Sequence, residues 1–342
     1  CRSSYKRQGT NQCVSCPENP GANWGWIFVG VVVLFLVLVF VTGDAIAEAG
    51  EQLLSASIQK IWLNYLQVVT LFAAFPLQWP PGLEAMFEVQ GSVSTLGEHL
   101  VNPDCLSTME SAAALYYSKQ IAFAILPFFM ALMAFLLWFS RGKLKLSSPF
   151  FQKRLANDQT TSKDKFVITV TSVLYLLYPT LCKNTFGLFD CKMVSGKLYL
   201  KVALEEECYV GRHQQMIFLG VAQLVVYVFG LPLVVLFFVF RNRKQLTDHV
   251  PMARYGLFYA AYKPSRFFWE IVITARKVSV VMLSVFGPSL GPVRQAQVSL
   301  LILLICIVAE IWGDPYVEPT PRHKSLARLE LLSLLIEWWT MW

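Results

Sequence analysis

Three sets of residues in this chain could do chemistry: its cysteines, the charges set inside apolar stretches, and the amides repeated along one such stretch. Eight cysteines fall among 342 residues. Cys13 and Cys16 have the C-x-x-C spacing of a redox or zinc motif, but Cys1 stands close by, and the three read as a structural disulfide module. Cys105, Cys182, Cys191 and Cys208 form a second set with more than one possible connectivity. Cys182 with Cys191 closes the shortest loop and is the expected pair, leaving Cys105 to hold Cys208; both bridges would brace an outer cap. Cys306 lies within an apolar stretch and reads as a small filler.

The embedded charges are Glu270, Arg276, Lys277 and Glu310. A charge inside a membrane span costs several kcal/mol unless it is paired or wetted. Glu270 and Lys277 are seven apart and share a helix face, so the expectation is that Arg276 or Lys277 pairs with Glu310 or Glu270. Such a pair could be a gate latch, a lipid-headgroup site or a static bridge. The amides are Asn64, Gln67 and Gln78, which with Lys60 follow helical spacing along one face. Lipid cannot satisfy them, so that face lines a wet pathway or bonds to neighbouring helices.

These residues are positioned by long apolar stretches. They run roughly over Trp26–Val41, Ile61–Trp79, Ile121–Phe139, Phe166–Leu181, Met216–Phe240, Phe267–Phe286 and Val298–Trp312. The chain is 55% hydrophobic and 15% charged, with a mean hydropathy of +0.49. The fold class expected is therefore an all-α polytopic transmembrane bundle of seven spans. Leu329–Trp342, with Trp338, Trp339 and Trp342, reads as the start of an eighth. Residues 1–23 would be a small disulfide-bonded extracellular module and 24–342 the membrane domain.

Topology follows from two signals. Every cysteine except Cys306 falls in or beside the odd-numbered gaps, counting the N-terminus as the first. The even-numbered gaps hold Lys60 and the basic clusters Arg141 to Lys165 and Arg241 to Arg266, and the C-terminal segment holds Arg322, Lys324 and Arg328. Disulfides form outside and Lys and Arg gather inside, which puts the N-terminus outside. The net charge of +7 is accounted for by these inner loops, and no nucleic-acid motif accompanies it. With Tyr255, Phe258, Tyr259 and Tyr262 interleaved, the loop from Arg241 to Arg266 suits an amphipathic helix against anionic headgroups.

The outer segment from Pro80 to Tyr117 carries Glu84, Glu88, Glu98 and Asp104 and no Lys or Arg. It could form an acidic vestibule that concentrates cations, or simply a soluble loop. Gly230 and Pro232 interrupt the fifth span and mark a hinge or a plain kink. The sequence has no phosphate loop, no H-E-x-x-H and no G-x-S-x-G, and its four histidines are scattered, so no enzyme activity, metal or cofactor is expected. It opens on a cysteine in mid-motif and stops inside an apolar stretch, which reads as the membrane portion of a longer chain.

The opening residues, closing on Cys13-Val-Ser-Cys16-Pro, resemble the tail of an ephrin-receptor-like (GCC2/GCC3-type) cysteine-rich repeat. The rest resembles the TRP-like polytopic domain that follows such repeats in large surface proteins of algae, oomycetes and ciliates. The matching pieces are Asn64-Tyr-Leu-Gln67 with Trp79-Pro80, Asn102-Pro-Asp-Cys105, Phe268-Trp-Glu270 with Ala275-Arg-Lys277, and Arg328-Leu-Glu-Leu-Leu-Ser333. The resemblance implies a plasma or ciliary membrane and a large ectodomain. Two functions compete: a TRP-like cation channel or mechanosensor, in which a homo-oligomer would supply the pore, and a non-conducting anchor or adhesion receptor for an extracellular filament or matrix protein. A seven-helix signalling receptor is a third and weaker reading.

Overall fold

The structure, a computed structural model, describes residues 5–8, 12–15, 53–77, 79–83, 85–87, 112–140, 161–244, 246, 249–317 and 324–342. Near the N-terminus, β1 (Tyr5–Gln8) and β2 (Gln12–Ser15) pair as an antiparallel hairpin with Arg7 opposite Cys13. The described chain is otherwise mostly helical: α1 (Leu53–Ala73), α2 (Ala112–Ser140), α3 (Ser162–Gly187), α4 (Gly211–Gln223), α5 (Leu231–Arg241), α6 (His249–Tyr259), α7 (Trp269–Phe286), α8 (Pro292–Gly313) and α9 (Lys324–Met341). A three-stranded antiparallel sheet, β3 (Cys191–Val194), β4 (Lys197–Leu200) and β5 (Ala203–Glu207), lies between α3 and α4.

Five helices are long and apolar enough to cross a membrane: Ala112–Phe139, Ser162–Gly187, Gly211–Arg241, Trp269–Leu290 and Pro292–Gly313. At 1.5 Å per residue each covers a hydrocarbon core of about 30 Å. They correspond to the third to seventh sequence stretches, and the protein is multi-pass. The first stretch, Trp26–Val41, lies outside the described residues. The second is α1, whose helix begins at Leu53, ahead of the apolar stretch that starts at Ile61. Both α1 and α9 pack inside the bundle, α9 between α8 and α1, and α1 also against α7.

Periodicity explains why α7 sits at the centre. Trp269, Ile273, Arg276, Val280 and Leu283 recur at helical spacing and are all buried, and Lys277 joins them on the same face. That face meets α3, α1 and α8. Val68, Phe72, Tyr178, Val280, Leu303 and Leu334 pack together from five different helices in the middle of the bundle. The opposite condition holds on α2 and α5, where Phe128, Leu132, Leu233 and Phe237 are exposed. Such apolar surface, on helices of spanning length, is what lipid tails cover.

Gly230 and Pro232 do not break the fifth span. Residues Leu224–Gly230 widen into a π-helical turn, and the Leu231 N–H bonds back to the Val226 carbonyl. Pro232 has no N–H for the Val228 carbonyl four residues earlier. That carbonyl accepts instead from the Tyr178 hydroxyl of α3 at 2.9 Å. A side chain at Gly230 would meet the Val225 carbonyl oxygen at 2.8 Å, so the wide turn needs glycine. In α2 the Ala124 carbonyl, three residues before Pro127, accepts from the Tyr227 hydroxyl at 2.6 Å.

The sheet corrects the all-α expectation. Ser195 and Gly196 both have positive φ, the two-residue turn that matches strand twist, and it folds Cys191–Leu200 into a hairpin. The disulfide joins Cys191 to Cys208 and leaves Cys182 a buried free thiol. The expected Cys182–Cys191 pair fails because Cys182 lies on α3 facing Val68, Phe72 and Phe186 in the core, while β4 and β5 bring Cys208 back beside Cys191. Cys105 lies outside the described residues. The sheet also caps α2, for Glu205 of β5 accepts the Ala113 N–H at 2.7 Å.

Two outcomes follow from this packing. Proteolytic mapping of unreduced protein should yield one cross-linked peptide containing Cys191 and Cys208, with Cys182 alkylated only after unfolding; a Cys182 cross-link would contradict the fold. Tyr178→Phe should cost about 1–3 kcal/mol by leaving the Val228 carbonyl bare. Thermal unfolding in detergent measures it, and an unchanged midpoint would mean the carbonyl has another partner.

Candidate functional site

Far from the sheet, polar side chains from α1, α3, α7, α8 and α9 meet in a continuous seam. On α1, Lys60, Asn64 and Gln67 are buried on one face, as their spacing predicts. Lys60 forms an ion pair with Glu270 of α7 and donates to the Leu257 carbonyl at 2.7 Å and the Tyr262 hydroxyl at 3.3 Å. Tyr262 in turn donates to Glu270 at 3.0 Å. Asn64 accepts from the Tyr175 hydroxyl of α3, and Gln67 donates to the Leu176 carbonyl at 3.3 Å. The Lys277 ammonium lies 4.2 Å from the centre of the Tyr175 ring, a cation–π contact.

The second half of the seam belongs to α9. Arg276 Nη1 donates to Glu330 at 2.9 Å, with both side chains almost wholly buried. Tyr316, just beyond α8, approaches the other Glu330 oxygen at 3.5 Å. Trp269 Nε1 donates to Glu310 at 3.2 Å. Gly313 allows that approach, because a Cβ there would fall inside the Trp269 ring. Glu337 is fully buried, and among the described residues both its oxygens are unpartnered, as are Arg276 Nε and Nη2. Burial pushes Tyr262 and Tyr316 well above the usual tyrosine range, so both remain protonated donors.

The end of the bundle that carries Lys60 is fastened by further pairs. Arg254 of α6 pairs with Asp164, which also completes the Thr161 capping box of α3. Lys263 pairs with Asp314, and a backbone bridge joins Tyr262 to Tyr316. The aromatic residues Phe258 and Tyr259 of α6 pack on Val239 of α5, so the predicted surface helix turns those rings inward.

The seam gathers Asn64, Gln67, Glu270, Arg276, Lys277 and Glu310, but pairs them differently from the sequence expectation. Glu270 is taken by Lys60, and Arg276 by Glu330 rather than by Glu310 or Glu270. The reason is adjacency: α1 packs on α7, α9 lies between α1 and α8 where Glu330 meets Arg276, and sequence distance does not reveal which helices are neighbours. Glu330 was the omitted partner. Its signal was present, because Glu330 and Glu337 are two helical turns apart within an apolar helix. Gln78, Glu84, Glu88, Glu98, Asp104, Cys1, Cys16 and Cys105 lie outside the described residues, and of Cys13 only the backbone is described.

One group of three potential metal ligands lies together among the described residues: Cys191, Cys208 and His213. The disulfide occupies both sulfurs. His213 accepts from the Tyr209 N–H at 2.9 Å and bonds the Leu188 carbonyl at 3.1 Å, so both ring nitrogens are engaged. The group stitches the sheet to α3 and α4. The seam's chemistry is likewise positional: it fixes the register of five helices through charge and hydrogen bonding.

Removing one member of a buried pair leaves an uncompensated charge, whereas replacing both with apolar groups can be neutral. Glu330→Leu alone should therefore destabilise by about 3–5 kcal/mol, and Arg276→Met with Glu330→Leu should recover most of it. Unfolding of the four proteins in detergent closes the cycle. A loss in the double variant equal to the sum of the two single losses would mean that Arg276 and Glu330 are not coupled.

Comparison with known proteins gives one reference point. The chain is similar to Cysteine repeat modular protein A of Toxoplasma gondii, 26% identical over 191 residues that cover 52% of this chain. It spans 6% of that relative's length. No protein-family model matches the chain. No solved structure matches it. The spanning helices, the disulfide and this similarity describe a multi-pass membrane protein that is similar in part to a cysteine-repeat protein.

Proposed function

We propose that the chain is the membrane domain of a large cell-surface protein and acts as a packed, non-conducting anchor or adhesion receptor without catalytic activity. The observation that carries this is the fate of the α1 polar face. Asn64 and Gln67, the residues that would line a pathway, are 1% and 4% exposed and are bonded to α3. Each amide gives one atom to α3 and keeps the other, Asn64 Nδ2 or Gln67 Oε1, buried, so this face meets helices rather than water. In this reading Trp26–Val41 and α1 complete seven spans and α9 enters an eighth. Residues 1–23 end a cysteine-rich repeat, and tension from an ectodomain or extracellular filament enters through the first span.

Sidedness in this reading rests on the two ends of the bundle. The Cys191–Cys208 sheet stands outside, where disulfides persist. Arg241, Arg243 and Lys244 stand inside, against anionic headgroups of a plasma or ciliary membrane. A membrane-impermeant amine reagent on intact cells should modify exposed Lys192 and Lys197 and reach Lys244 only after permeabilisation. The reverse pattern would invert the topology.

A second reading, a TRP-like cation channel or mechanosensor, is favoured by the π-helical turn at Leu224–Gly230, because such turns recur at functional sites. A homo-oligomer would then supply the pore. Conductance of the reconstituted chain under stepped membrane tension separates the two. The anchor predicts a silent bilayer with the disulfide intact. Cation current abolished by Asn64→Leu/Gln67→Leu would replace the anchor with the channel.

A further inference from the structure

At the Lys60 end, Lys60 faces Glu270, Arg254 faces Asp164, Lys263 faces Asp314, and Lys165 lies over Trp138. Other basic residues, Lys163 and Arg328 included, have no carboxylate partner among the described residues. Arg241, Arg243 and Lys244 follow closely at the end of the Gly211–Arg241 span, and Arg266 closes the short helix Pro264–Arg266; among the described residues none of the four takes part in an ion pair. Arg241, Arg243 and Lys244 are exposed. One of them meets an aromatic edge: the Arg243 guanidinium lies 4.4 Å from the centre of the Phe240 ring. Phe240 lies 6.1 Å from Phe267, the neighbour of Arg266.

Apolar and charged surface are continuous here. Leu233, Phe237 and Phe240 are 60%, 58% and 49% exposed and sit four and three residues apart, one stripe of α5. The same spacing continues from Phe237 to Arg241 and Lys244. A hydrocarbon-facing stripe thus ends in a cluster of free cations, with a ring at the boundary. This pattern matches a molecule with an anionic head and an apolar tail. Arginine also suits phosphate, because its planar fork donates two parallel hydrogen bonds.

We propose that this edge of α5 is a binding site for an anionic phospholipid, its phosphate held by Arg241, Arg243 and Lys244 and an acyl chain lying along Leu233 and Phe237. Arg266 closes the far side of the headgroup. The site rests on the membrane reading above and deepens it. It also holds mechanical interest, since the lipid would grip the end of the span that contains the π-helical turn.

The test uses the full chain in nanodiscs of phosphatidylcholine with and without phosphatidylserine, with retained lipid counted by native mass spectrometry. The expected result is retained phosphatidylserine in wild type and a loss of roughly a hundred-fold in affinity in Arg241→Gln/Arg243→Gln/Lys244→Gln. Lys192→Gln/Lys197→Gln, at the sheet end, should retain it. If the triple variant lacks the Cys191–Cys208 bridge, Arg243→Gln and the charge-preserving Arg243→Lys replace it, with retention expected only in the latter. Equal retention in wild type and the charge-removing variants overturns the site, as does complete displacement by inorganic phosphate or glycerophosphoserine, which would make it a site for soluble phosphate. Failure of wild type to enter nanodiscs overturns the membrane reading instead; entry without preference for phosphatidylserine overturns only this site.

Discussion

A guanidinium inside an apolar bundle must lie against a carboxylate, and here Arg276 takes its carboxylate from Glu330, at the far end of the chain. The helix holding Arg276 touches α1, α3 and α8, and the helix holding Glu330 lies between α8 and α1. Satisfying this one charge therefore fixes how the last helix closes against the first described one. Lys60 and Glu270 repeat the arrangement between α1 and α7. Hydrophobic contacts such as Phe72 on Leu334 have no direction, so they favour a compact bundle without choosing its register. The ion pairs choose, because a slide by one turn would strand a buried charge at a cost of several kcal/mol.

Tyrosine serves the same constraint for the backbone. Prolines at positions 127 and 232 sit inside long helices and release carbonyls that lipid could not satisfy. The Tyr178 and Tyr227 hydroxyls reach those regions from neighbouring helices. Tyr175 does so for the side chain of Asn64 and lends its ring face to Lys277. A phenol suits this task because its ring packs among apolar neighbours while its tip bonds. The helical irregularities and the aromatic content of the core are thus one solution, distributed over α2, α3 and the π-helical turn.

The spans were legible because hydropathy and length are local properties, and α2, α3, α4 with α5, α7 and α8 coincide with apolar stretches. The polar face of α1 was legible for the same reason: Lys60, Asn64 and Gln67 reveal their face by spacing alone. Pairing was not. Whether Glu270 meets Lys60 or Lys277 depends on which helix lies beside α7, and that follows from packing across more than two hundred residues. The disulfide failed on the same ground, since a short loop between Cys182 and Cys191 matters less than the helix that aims Cys182 into the core. The hairpin turn at Ser195-Gly196 was readable, but strands of only four residues leave little hydropathy pattern between two spans.

The two ends of the bundle are built from different materials, and this bears on what the seam is for. At the sheet end, a covalent bridge and the His213 hydrogen bonds hold β3–β5 against α3 and α4. At the opposite end the fastening is electrostatic, through Asp164, Glu270 and Asp314. Covalent fastening resists pulling whatever the surroundings, while ion pairs gain strength as water is excluded from them. If load enters through the first span, as the anchor reading requires, it reaches α1 before the other described helices, and α1 holds to the bundle by the buried Lys60–Glu270 pair and the amides above it. Opening a water path along α1 would sacrifice those contacts together. In the anchor reading the seam therefore opposes conduction and resists load through the same bonds.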